Sequence, residues 1–86
     1  MAEIKGMTLR GYMTGKRQSV EVLAHFDVAL SEVVMHGCAL VRFGNGKVTT
    51  WPPRLDNLRR VTFASESLKR DVTAQAQEVY RALGGD

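Results

Sequence analysis

The stretch Ala39-Leu40-Val41-Arg42-Phe43-Gly44-Asn45-Gly46-Lys47-Val48-Thr49-Thr50-Trp51-Pro52-Pro53-Arg54 reads as a β-hairpin. Two apolar, alternating runs flank an Asn-Gly dipeptide, and Asn45-Gly46 tolerates the positive φ that both central positions of a type I′ turn require. The twist of that turn matches the right-handed twist of its strands. Pro52 cannot donate to a ladder, so it ends the second strand or places it at a sheet edge. The hairpin also carries the first functional pointer, because Arg42, Lys47 and Arg54 surround Trp51 in the sequence.

On the N-terminal side, Met7 to Tyr12 reads as a first strand, and Met13 to Arg17 as a basic turn. Ser19 to Phe26 alternates, with Val20, Val22, Ala24 and Phe26 on one face of a half-buried strand. Asp27 marks a turn or a bulge. Val28 to Met35 continues the strand character out of phase, which one bulge near Ser31 would reconcile, and His36-Gly37 then breaks the run.

On the C-terminal side, Leu55 to Arg60 reads as a polar loop and Val61 to Phe63 as a short last strand. A helix follows. Ser65 suits the N-cap, and Glu66 suits the positive end of the dipole. Leu68, Val72, Ala76, Val79 and Leu83 form one apolar stripe, which predicts burial of Leu68, Val72, Val79 and Leu83. Gly84-Gly85 supplies a left-handed stop. The pattern predicts one α+β domain over residues 1–86: an antiparallel sheet of about four to six strands with one C-terminal amphipathic helix packed on it.

The 86 residues bury only about 60–65% of their unfolded surface as a monomer, so a homodimer is expected. One cysteine permits no internal disulfide, and with no apolar run of membrane-span length and no signal-peptide core, a cytoplasmic protein without a membrane partner is expected. The net charge of +3 is modest, but its distribution is uneven. From Arg42 to Arg60 there are five bases (Arg42, Lys47, Arg54, Arg59, Arg60) against Asp56 alone, and Arg10, Lys16 and Arg17 have no acid among them. This charge suits either a solvated face or an anion-binding surface.

Catalysis and cofactor chemistry find little to use. His36 and Cys38 are half of a metal site at most, since a structural zinc takes four ligands. Cys38 reads as a small buried residue, and His25 as an edge or surface residue. Asp27 and Glu32 lack the third group that marks an acid–base site. Phe43-Gly44-Asn45-Gly46 is a hairpin tip and not a phosphate-cradling loop. The expectation is no enzyme, no cofactor, no metal and no small-molecule substrate.

Three motifs in order resemble the SpoVG family (stage V sporulation protein G, also called a septation regulator). They are Ser31-Glu32-Val33-Val34-Met35, then Gly46 through Trp51 with Pro52-Pro53-Arg54, then Tyr80-Arg81-Ala82-Leu83-Gly84. The resemblance covers roughly Val20 to Gly84. The stretch from Gly37 to Phe43 departs from it as an insertion, and only Arg54 matches the family's basic pair after the proline. The resemblance implies a small dimeric regulator that binds nucleic acid, DNA or RNA. The basic residues agree with phosphate binding, through Arg42, Lys47, Arg54, Arg59 and Arg60. Arg59 and Arg60 are adjacent and point to opposite faces of an extended segment. Trp51 beside those charges suits base stacking, but its place in a strand before Pro52 favours a core or interface role. The alternative function is a protein-interaction module or a structural homodimer without nucleic-acid binding.

Overall fold

Four strands and one long helix follow from the apolar periodicities. The computed structural model describes residues 2–53, 63 and 65–85. Strands β1 (Glu3–Thr14), β2 (Val20–Ala29), β3 (Val34–Phe43) and β4 (Val48–Trp51) precede helix α1 (Glu66–Ala82). They form one antiparallel sheet in the order β1-β2-β3-β4, and α1 lies across one face, against β1, β3 and β4. The fold is α+β, with four strands among the described residues. The expected loop over 55–60 and strand over 61–63 lie outside the described residues apart from Phe63, which packs against the core.

Ser65 caps the helix, its Oγ accepting from the Leu68 N–H at 3.2 Å, so one of the orphan donors of the first turn is satisfied. At the other end Gly84 takes φ 98°. The Gly84 N–H donates to Arg81 O and the Gly85 N–H to Tyr80 O, the paired bonds of a Schellman stop. Val72, Thr73 and Ala76 are the buried positions of α1, flanked by Leu68 and Tyr80. Of the four positions expected to be buried only Val72 is; Leu68 and Val79 are half-buried, and Leu83 departs from the stripe. It is the C-cap residue and 50% exposed, and on that last turn Tyr80 makes the core contact instead.

The helix-covered core contains Ala24, Phe26 and Val28 of β2 with Cys38 and Leu40 of β3. A second cluster, Val20, Val22 and Val41 with Ala39 and Phe43, lies on the other face. β2 serves both because it does not alternate throughout. Val22 pairs with Val41 but Ala24 pairs with Leu40, so Leu23 is an extra residue, a β-bulge that inverts the phase of the strand. The expectation that Val20, Val22, Ala24 and Phe26 share a face is therefore corrected: the first two point away from the helix and the last two toward it.

The run from Val28 to Met35 is also not one bulged strand. β2 ends at Ala29, and the Leu30 N–H donates to Val33 O at 2.7 Å, so the chain reverses tightly before β3. The bulge lies further on, at His36-Gly37, where Phe26 pairs with Cys38 but Val28 with Met35. Gly37 takes φ 84°, a conformation glycine adopts without a Cβ penalty. Across the ladder, Asp27 holds the bulge: its Oδ1 accepts from the Gly37 N–H at 3.0 Å, and its Oδ2 lies 3.0 Å from His36 Nδ1.

The β3–β4 hairpin forms where expected, with a different turn. The Gly46 N–H donates to Phe43 O at 2.9 Å, which makes Gly44 and Asn45 the central residues. Only Gly46 takes a positive φ, 87°. This is the three-residue loop in which a turn is followed by a left-handed glycine. Asn45 stays out of the left-handed region, and its Oδ1 accepts from the Lys47 N–H at 2.9 Å, an Asx turn.

Candidate nucleic-acid interface

Cross-strand pairing sorts the side chains by face, because partners in register project to the same side. Thr50 of β4 bonds Thr73 of the helix at 2.8 Å, which fixes the helix side. Leu40 and Arg42 of β3 then face the helix side, with Thr50 and Val48 as their partners. Ala39, Val41 and Phe43 face the other way with Thr49 and Trp51. On β2 and β1 that helix-free face continues through Val22 and His25, and through Tyr12 and Thr8.

Four ring-bearing side chains therefore share the helix-free face: Tyr12, His25, Phe43 and Trp51. They form two pairs. The Tyr12 hydroxyl lies 3.1 Å from His25 Nε2, with the rings edge-to-face at 5.9 Å. Phe43 meets Trp51 edge-to-face at 6.3 Å. Between the pairs lies the buried aliphatic floor of Val22 and Val41. Trp51 belongs to neither core cluster and is 37% exposed, which corrects the core half of the expected core or interface role and leaves the interface half; Tyr12 is 45% exposed. An aromatic side chain on a strand half open to water presents a ring without completing a core.

The basic residues are dispersed differently from the expectation. Arg42 is separated from Trp51 by the sheet itself: it lies on the helix side, with Nη2 3.3 Å from Glu21 Oε1. Lys47 is exposed at the hairpin tip. Arg54, Arg59 and Arg60 lie outside the described residues. The structure instead adds two cations to Lys47. Thr14, Val20 and Phe43 pair across β1, β2 and β3, so the 3₁₀ turn Lys16–Gln18 after β1 and the hairpin tip after β3 sit at the same end of the sheet. A side chain at Gly44 would come within 3.9 Å of Ser19 O, so the two connections touch. Lys16, Arg17 and Lys47 are all exposed there, and no acid among the described residues pairs with them.

The 3₁₀ turn is strained. Arg17 and Gln18 have φ of 59° and 51°, a left-handed conformation that costs a residue with a Cβ about 1–2 kcal/mol. Such strain persists only where neighbours over-determine it, and it gathers at functional sites. At the opposite end of the face sit Glu3, Lys5, Asp27 and His36. Glu3 and Lys5 are 3.5 Å apart. The bonds from His36 and from the Gly37 N–H hold the Asp27 carboxyl below its ordinary value. The sheet thus ends in basic connections at the hairpin end and in mixed charges at the other.

His36 and Cys38 do not share a face. The bulge leaves His36 on Asp27, whereas Cys38 is fully buried in the helix-covered core, with burial and then the Asp27 charge pushing its thiol up to about 11. Among the described residues no group of three His, Cys, Asp or Glu side chains is placed to hold a metal ion, and no helix is long and apolar enough to cross a membrane. Compared with protein-family models, curated proteins and solved structures, the chain matches none of them.

Proposed function

We propose that this chain is a small nucleic-acid-binding regulatory protein that acts as a homodimer. The observation that carries the reading is the gathering of Lys16, Arg17 and Lys47 at one end of the sheet, without a paired acid among the described residues. Three exposed cations on adjacent connections suit successive backbone phosphates, whose neutralisation releases condensed counterions. Arg54 and at most one of the adjacent Arg59 and Arg60 extend this set by sequence. Arg42 does not, since it is engaged with Glu21 on the other side. The resemblance to the SpoVG family supports the same reading. The dimer rests on the short chain and on apolar side chains left at the surface, among them Val33, Val34 and Met13.

Fluorescence anisotropy with labelled oligonucleotides tests the function. Affinity should fall steeply with salt, and Lys47→Ala and Arg17→Ala should each reduce the slope of log K against log salt by about one unit. No binding at about 50 mM salt, where phosphate contacts are strong, would leave the alternative of a protein-interaction module in front, because an apolar protein interface responds weakly to salt. Light scattering at micromolar concentration tests the dimer, and a monomer of 9.5 kDa would remove it.

A further inference from the structure

We infer that the nucleic acid this protein takes is single-stranded, laid across the helix-free face with bases stacked on Tyr12 and Trp51. The inference rests on the nucleic-acid reading above and adds the strand form and the two contact residues. Tyr12 stands on β1 and Trp51 on β4, the two outer strands among the described residues. Three strand spacings of about 4.8 Å separate them, roughly 14 Å across the sheet, so one base cannot reach both and a strand crossing the sheet can. Each ring is braced by a neighbour, Tyr12 by His25 and Trp51 by Phe43. Bracing reduces the freedom a ring loses when a base stacks on it.

Duplex bases are already stacked on one another and offer their faces only at the ends. Rings on an open sheet face therefore discriminate in favour of unpaired bases, and they do so for any base, since every base has a π-face. The charge pattern fits the same ligand. The phosphates leave the face at the end where Lys16, Arg17 and Lys47 stand, and the carboxylates of Glu3 and Asp27 lie at the far end of the sheet. The polarity gives the strand an anchor at the hairpin end, while Val22 and Val41 supply an apolar floor between the two rings.

Trp51 is the chain's one tryptophan, so its intrinsic emission reads the site directly. The full-length chain is titrated at about 50 mM salt with oligothymidylate, oligouridylate and a duplex of the same length. The single strands should quench Trp51 and the duplex should not, and comparison of the first two tells DNA from RNA. Trp51→Ala and Tyr12→Ala should each weaken single-strand binding about tenfold or more, the factor that loss of one stacked base implies. Tyr12→Phe should recover most of the binding that Tyr12→Ala loses, because the ring remains although the hydroxyl contact with His25 is gone.

Binding of duplex and single strand with equal affinity and no quenching would overturn the inference, while weakened binding in Lys47→Ala would keep the broader reading. Failure of all three probes to bind would remove both. Quenching that follows protein concentration instead of added oligonucleotide would make the face a contact between copies and overturn the inference as well. Should Trp51→Ala lose its circular-dichroism signature, quenching in the parent and binding by Trp51→Phe decide: absence of the first, or a Phe variant as weak as Tyr12→Ala, counts against stacking.

Discussion

The two faces of this sheet are built from the same strands and differ in what they finish. The helix side is closed by Val72 and Ala76 over Phe26, Val28, Cys38 and Leu40. Its buried polar pair is satisfied internally: the Thr73 hydroxyl donates to Lys69 O at 2.8 Å and accepts from Thr50 at 2.8 Å. The helix-free side has a small aliphatic floor and then changes character, with rings at its outer strands and the Asp27–His36 pair near one end. One residue separates the two regimes on β2, the bulged Leu23. A single inserted residue lets one strand supply valines to one face and a phenylalanine to the other, which strict alternation forbids.

The contrast breaks most severely at Val72. It is fully buried under the sheet, so Val72→Asp should place an unpaired charge in the core and abolish the cooperative thermal transition, at a cost of several kcal/mol. A melt like the parent's would mean that the helix does not cover this face.

The buried hydroxyl pair sharpens the contrast one step down. Thr73→Val leaves the Thr50 hydroxyl without its acceptor and should cost about 1–3 kcal/mol. Thr50→Val should cost less, because Thr73 keeps its bond to Lys69 O. Chemical denaturation of the two single variants and the double variant measures the coupling; equal costs for the single variants would show that the donor order is reversed.

On the other face Trp51→Ala should cost only about 1 kcal/mol of stability, against the ~3–5 kcal/mol of a buried aromatic. Denaturation alone checks this, and a core-sized loss would erase the distinction between the faces.

The smallest effect belongs to Asp27. Its pKa is depressed in the folded chain by the bonds from His36 and the Gly37 N–H, so its contribution is full above the unfolded value. That contribution is lost as pH falls below the ordinary 3.8 and through the folded value. Asp27→Asn should lower the Tm slightly at neutral pH and flatten the acid limb of the Tm–pH curve, so that variant and parent converge at low pH. A variant with the parent's acid limb would show that other carboxylates govern it.

The helix could be read from its spacing because its signals are local: the stripe at Leu68, Val72 and Ala76, the Ser65 cap, and the glycines at the end. The hairpin was legible for the same reason, although the Asn45 side chain chose a different turn. The β2–β3 reversal was hidden because Leu30-Ser31-Glu32-Val33 contains neither glycine nor proline and runs straight into Val34 and Met35. Bulges at Leu23 and Gly37 depend on what lies across the ladder, which no local pattern encodes. The shared parity of Phe43 and Trp51 about the hairpin was available as a signal, but Tyr12 joins them only through the β1–β2 register. The same holds for Lys16 and Arg17, which reach Lys47 through pairing of distant strands.

Cys38 turns the interior of the sheet into something that can be timed. A thiol must ionise and be reached before a disulfide reagent can attack it, and this one is fully enclosed, with a pKa of about 11. Its labelling rate at neutral pH therefore counts the occasions on which β2, β3 and the helix part company, and protection lost in a variant reports local opening before any global melt does. The chain carries its own clock for breathing, at its only cysteine, with no probe to be engineered in.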